Sequence, residues 1–241
     1  MFRVRYWVLL ILVAFALPQV GFAQYEGDDV YDPFADYSEF EENSQEEADI
    51  HFFKNGRFFN AAFMLGWEQF TGEMGNHLAP NINPGLYLAY FFNLRFALQL
   101  SYTWAEHRLE IDTPTTNPII GNVTYSAWAF HLKYYFNTQN VTRGLAALNP
   151  YVIGGFAQNY RTFALNNVPV IAKDDATSFD VGFGIEIPIS DNQMYLGTQI
   201  IYGAVNFPTE NQEFQDDQGN ATGVFLEGDK VNAHFFLGIN F

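Results

Sequence analysis

The chain contains no cysteine. That excludes a disulfide framework, a thiolate metal site, a cysteine nucleophile and the lipidated cysteine of a lipoprotein. Basic residues are also scarce: 11 Lys and Arg stand against 27 Asp and Glu, a net charge of −16. Nucleic acid as a partner needs a basic footprint, and this chain lacks one. Long apolar helices are missing too. The N-terminal apolar run, Trp7 to Leu17, has eleven residues, against the roughly 20 that a membrane-spanning helix needs. A mean hydropathy of −0.08 excludes a bundle of such helices.

Aromatic residues are abundant: 26 Phe, 14 Tyr and 4 Trp make 18% of the chain. High aromatic content at neutral average hydropathy suits strands whose residues alternate between an apolar and a polar surface. The last eleven residues show this pattern most plainly. Val231, Ala233, Phe235, Leu237, Ile239 and Phe241 share one parity. Asn232, His234, Phe236, Gly238 and Asn240 share the other, which is mostly small or polar. A period of two means a β-strand with two differently solvated faces. In a soluble protein so regular an apolar edge invites aggregation. In a closed membrane barrel it faces lipid.

The N-terminus predicts a secretory signal over residues 1–23. Arg3 and Arg5 precede the apolar run, and Gly21-Phe22-Ala23 supplies small residues for cleavage before Gln24. Residues 24–50 hold eleven acidic residues and no Lys or Arg. Self-repulsion predicts a disordered tail, with a domain boundary near residue 51. Within it Tyr31, Phe34, Tyr37 and Phe40 recur every three residues. That spacing gives a candidate docking motif for a periplasmic partner. The alternative is a solvated spacer with incidental aromatics.

From residue 52 onward, eight alternating runs are expected: about 57–69, 80–92, 94–107, 123–136, 150–163, 178–189, 194–206 and 229–241. Each is long enough to cross a bilayer as a tilted strand, for which roughly 9–11 residues suffice. Trp67, Trp104, Trp128, Tyr90 and Tyr134 fall near run ends on the apolar parity, where aromatic girdles sit. Connections after runs one, three, five and seven are long, and those after two and six are short. The 137–149 connection, after run four, is longer than a turn needs. The alternation predicts periplasmic turns on one rim and external loops on the other. Phe241 and the acidic tail then share the periplasmic side.

The opposite parity is expected to form a small, polar inner face, because an eight-stranded barrel is just wide enough for side chains to fill. Asn60, Gln99, His131, Lys133, Arg161, Asp180, Glu186 and His234 lie on it. Buried charges must be paired. Lys133 and Glu186 are expected at similar depth near the periplasmic end. Arg161 and Asp180 are expected to meet near the external rim. Such a network either plugs the lumen or lines a gated ion path.

Catalysis would draw on His77, Glu106 and His107 near the external rim, with Ser101 on the inner face. No serine is placed to act with them, and a non-enzyme is expected. The last loop carries Glu210, Glu213, Asp216, Asp217, Glu227 and Asp229 but lacks the spacing of an EF-hand. No metal or cofactor is assigned.

Residues 57–241 resemble the small outer-membrane barrels of the OmpA, OmpX and OmpW type. Phe235, Leu237, Ile239 and Phe241 look like the C-terminal signal that the barrel-assembly machinery reads. Asn149-Pro150-Tyr151-Val152-Ile153-Gly154-Gly155 is similar to the start of the fifth strand in such domains. The acidic tail departs from that pattern, and the arrangement is similar to barrel domains of predatory and gliding bacteria. The resemblance implies a closed eight-stranded antiparallel transmembrane β-barrel over 52–241. It also implies a Gram-negative outer membrane, with lipid and lipopolysaccharide around the barrel. The expected role is an anchor or scaffold, with a narrow channel and a lipid-modifying palmitoyltransferase as alternatives.

Overall fold

The computed structural model describes residues 58–112, 118–136, 148–165, 172–189, 193–209, 212–215 and 221–241. The predicted signal and the acidic tail, with Tyr31, Phe34, Tyr37 and Phe40, lie outside the described residues. So do most of the 137–149 connection and parts of four other connections.

Eight strands close a barrel: β1 (Phe59–Phe70), β2 (Asn81–Phe91), β3 (Phe96–Ile111), β4 (Ile119–Tyr135), β5 (Asn149–Leu165), β6 (Ala172–Ile189), β7 (Met194–Val205) and β10 (Lys230–Asn240). Every neighbouring pair is antiparallel, and β10 closes the ring against β1. Closure is seen in the pairing of Phe59 N with Phe241 O at 3.3 Å and Phe241 N with Phe59 O at 2.8 Å. The rim at which β1 begins and β10 ends is called the terminal rim below; the opposite end is the far rim.

The strands are staggered as they go around. From Asn60 the register runs through Ala89, Gln99, His131, Gly155, Asp180, Gly203 and Lys230, and returns to β1 at Phe70, ten residues on. Closing a sheet requires such a shear, and it tilts the strands against the barrel axis. Every residue of this row points inward, because pairing preserves side-chain parity.

Outside, the expected apolar parity is exposed on all eight strands. Phe63, Leu88, Trp128, Phe156, Phe183 and Phe235 belong to it. A continuous apolar belt on a closed barrel is the surface of a protein embedded in lipid. The short turn between β2 and β3 is built by Asn93, whose Oδ1 accepts from the backbone N–H groups of Arg95 and Phe96, each at 2.8 Å. This local bonding is what makes asparagine a turn residue.

The strands differ in length more than expected. β1, β2, β7 and β10 have 11 or 12 residues, whereas β3 to β6 have 16 to 18. The extra residues all lie at the far rim, and their outward faces turn polar: Glu106, Arg108 and Glu110 on β3, Asn122 and Thr124 on β4, Lys173, Asp175 and Thr177 on β6. The alternation therefore continues into water above the belt. Cross-strand bonds stitch this wall, with Asn122 Nδ2 donating to Glu106 at 2.6 Å and Gln158 Nε2 to Asp175 at 2.9 Å.

Two of the far-side loops contain further elements among the described residues. The first contains the helix α1 (Gly72–His77), and the last contains the hairpin β8 (Glu213–Gln215) and β9 (Ala221–Phe225).

Candidate functional site

The inner face was expected to be small, yet large rings fill it. Tyr87, Tyr125, Tyr135, Tyr151, Tyr195 and Phe236 are all buried inside. The two observations fit together, because rings lie over glycines of other strands. A Cβ at Gly184 would come 2.4 Å from the Tyr151 hydroxyl, and one at Gly197 would come 2.2 Å from Phe236. A Cβ at Gly238 would come 2.2 Å from Tyr195. The small residues are the seats of the large ones, as close packing requires.

Toward the terminal rim these rings enclose a charge. Lys133 Nζ, from β4, lies 2.8 Å from Glu186 Oε1, from β6. Its ammonium sits 4.5 Å from the Tyr151 ring centroid, 4.7 Å from that of Tyr87 and 5.5 Å from that of Phe236. Such distances are those of cation–π attraction. Tyr135 donates its hydroxyl to the other oxygen of Glu186 at 3.0 Å. Both carboxylate oxygens are thus engaged, as a buried ion pair requires.

Midway along the barrel, Asp180 gathers a second network. His131 Nε2 is 3.1 Å from Asp180 Oδ2, and Lys230 Nζ is 3.8 Å from the same oxygen. Ser178 donates to Asp180 Oδ1 at 2.6 Å. Lys230 donates to Asn159 Oδ1 at 2.6 Å, and Asn159 Nδ2 donates to Ser178 at 2.9 Å, so a chain of hydrogen bonds leads from Lys230 back to Asp180. His131 and Asp180 are two strands apart, with Gly155 between them; Asp180 and Lys230 are separated in the same way by Gly203. Each glycine leaves the space through which its neighbours touch. A third network joins Glu68, His107, Asn83 and His234. Glu68 Oε1 lies 2.9 Å from His107 Nε2, Asn83 Nδ2 donates to Glu68 at 2.6 Å, and His234 Nε2 is 3.4 Å from Asn83 Oδ1.

Arg161 departs from expectation. It does not meet Asp180. The register sets Arg161 opposite Asp174, and its guanidinium lies 3.0 Å from that carboxylate. Asp180 is six residues nearer the terminal rim, opposite Gly155. The expected β6 began at residue 178 and so left Asp174 in a loop. The same guanidinium donates to Thr209 Oγ1 at 2.9 Å and to the Leu226 carbonyl at 3.2 Å. It stacks 3.9 Å from the Phe207 ring and is 3.4 Å from Met74 Sδ. One buried side chain therefore ties α1 and both ends of the last loop to the barrel wall. Beneath that loop, Phe70, Leu109, Ile111, Val123, Phe163 and Phe207 pack into an apolar cap across the far mouth.

The candidate catalytic residues are not gathered. His107 is buried against Glu68, with its Nδ1 donating to the Ala79 carbonyl at 2.9 Å. Glu106 is on the outer face, bonded to Asn122. His77 lies 3.0 Å from the Glu110 carbonyl. Ser101 is buried on the inner face of β3, six residues from His107. Among the described residues, no three His, Asp or Glu side chains come together as metal ligands. Glu68 and Asn83 of the third network had no sequence signal beyond inward parity.

The terminal-strand residues Phe235, Leu237, Ile239 and Phe241 are exposed on the lipid face.

No protein-family model matches the chain, and no curated protein matches it. Solved structures do. The chain is similar to Neisserial surface protein A at 12% identity and a TM-score of 0.53, covering 76% of this chain and 97% of that one. It is similar to the outer membrane protein OprG from Pseudomonas aeruginosa at 13% identity and a TM-score of 0.51, covering 77% and 97%. A major outer membrane protein from Thermus thermophilus is similar at 9% identity and a TM-score of 0.51, covering 76% and 99%. At these identities the likeness is one of fold. The chain has the fold of the small outer-membrane β-barrels, and its apolar belt is the surface such a barrel turns to lipid.

Proposed function

We propose that the protein is a structural anchor of a Gram-negative outer membrane. The terminal rim faces the periplasm, and the β3–β6 wall with its loops stands outside. One observation carries this reading: side chains fill the lumen from the Lys133 cage through the Asp180 network to the apolar cap. A path for ions would have to cross the rings around Lys133 and then the cap beneath the last loop. Conductance in planar bilayers tests the proposal. Purified, heat-modifiable protein should leave the bilayer as insulating as lipid alone. Discrete open channels would overturn the anchor in favour of the narrow channel.

The acidic segment 24–50 belongs to the same proposal as a docking element for a periplasmic protein. Its support is compositional: eleven acidic residues with aromatics at a regular spacing. Pull-downs from solubilised envelopes with and without residues 24–50 test it, and identical partner lists would remove it. Phe235, Leu237, Ile239 and Phe241 are proposed as the segment read during barrel assembly. Phe241→Ala should lower the folded fraction in the outer membrane without changing refolding in detergent.

A further inference from the structure

A cavity of about 490 Å³ opens at the far rim between β5, β6 and the last loop, within the roughly 300–1,000 Å³ of small-molecule sites. An anchor has no use for it. Phe163 and Leu226, both buried, form its floor. Half-buried Phe214 forms one side, its ring centroid 6.0 Å from that of Phe163. Much of the polar lining is already committed. Asp174 is bonded to Arg161 and Thr209, and Glu213 accepts from the Gly223 N–H. Lys173, Gln212 and Gln215 differ. All three are exposed at the cavity's edge, and among the described residues their side chains make no ion pair or hydrogen bond.

Those three groups define a ligand. A lysine ammonium takes a carboxylate or phosphate oxygen as a point charge. A carboxamide offers both donors and an acceptor, which suits hydroxyl groups. An aromatic and aliphatic floor takes an apolar ring face. Arg161 also lines the cavity, but its charge is met by Asp174, and the Glu213 carboxylate is part of the lining as well, so Lys173 is the one cation left for a ligand and a polyanion is disfavoured. We propose that this cavity binds an acidic monosaccharide unit, its anionic group on Lys173, its hydroxyls on Gln212 and Gln215, and its C–H face on Phe214. Such a unit can come from the saccharide of the surrounding lipopolysaccharide or from a soluble glycan. Only the choice of source rests on the far rim being external.

The test is saturation-transfer NMR on the full chain refolded in detergent, with galacturonate and galactose as probes. Galacturonate should bind, and galactose should bind about tenfold more weakly, the loss of one charge-assisted bond. Lys173→Gln should weaken galacturonate to the level of galactose and leave the heat-modifiable gel shift unchanged. The double variant Gln212→Ala/Gln215→Ala should weaken both sugars. The same measurement in nanodiscs assigns the source. Suppression of galacturonate binding by lipopolysaccharide in the disc supports the membrane's own saccharide. Equal binding with and without lipopolysaccharide supports a soluble glycan. Absence of galacturonate binding in detergent and in lipopolysaccharide-free discs would overturn the proposal, as would equal affinity for the two sugars or an unaffected Lys173→Gln variant. Bilayer conductance, which decides the anchor reading, does not enter this result.

Discussion

Two buried cations occupy opposite ends of the barrel, and they are held for different purposes. Lys133 meets groups of the barrel strands: one carboxylate and three rings. Arg161 meets the wall through Asp174 but spends its other contacts on Thr209, Leu226, Phe207 and Met74. Lysine suits the first place as a compact charge that fits within a cage of rings. Arginine suits the second because its planar fork can bond several segments at once. One charge is part of the barrel's own packing. The other fastens the cap to the barrel. The two should therefore fail differently.

The sharpest test of that difference is Glu186→Ala. It leaves Lys133 buried without its carboxylate, which costs about 3–5 kcal/mol. Urea unfolding in micelles should show the loss, and the heat-modifiable band should weaken. Replacing both partners, as in Lys133→Met/Glu186→Leu, should recover most of it, since apolar filling of similar volume is tolerated. A double variant as unstable as the single one would mean that the charge itself is required.

Arg161→Ala should act elsewhere. It leaves Asp174 and the Leu226 carbonyl short of a donor, a cost of about 1–3 kcal/mol. The last loop should become open to protease while the folded barrel band persists. Loss of the barrel together with the loop would erase the distinction between the two ends.

The glycines offer a finer comparison. Alanine at position 155 would place a Cβ 2.1 Å from the Phe130 carbonyl oxygen and 2.8 Å from the His131 Cα, both backbone atoms. At position 203 the nearest atoms belong to side chains, Asp180 Oδ1 and Lys230 Cε, each at 2.6 Å. Gly155→Ala should cost about 1–3 kcal/mol, as overpacking does, and Gly203→Ala less, because side chains yield more readily than backbone. Equal costs in urea titrations would argue against this account of the spacers. The smallest effect belongs to the outer wall, where Arg108 and Glu110 lie 3.7 Å apart and are largely exposed. Breaking that pair should change stability by about 0–1 kcal/mol.

Much of the barrel was legible because alternation is local. Along β3, Leu98, Leu100 and Trp104 face out and Ala97, Gln99 and Ser101 face in, as their parity requires. The C-terminal strand closes against β1 with Phe235, Leu237 and Ile239 on the lipid side. Other features were not legible. The extension of β6 carries no apolar parity to mark it as strand, and that of β3 carries its apolar residues, Leu109 and Ile111, on the inner face, the reverse of the belt below it. Phe236 and Tyr195 interrupt the small inner face, and their seats at Gly197 and Gly238 lie on different strands. His107 looked like a rim residue because β3 was expected to end there. The strand continues to Ile111, so His107 stays inside the barrel, bonded to Glu68.

Parity along each run was enough to say which residues face lipid and which face the lumen, because successive side chains of a strand must point to opposite sides. It could not say which inward residues touch. That depended on closure with a stagger of ten residues, which sets His131, Asp180 and Lys230 on one row with a glycine between each. The same register carries Arg161 to Asp174 and away from Asp180. Contacts across a barrel join strands that are distant in the chain, and no local pattern encodes the register between them.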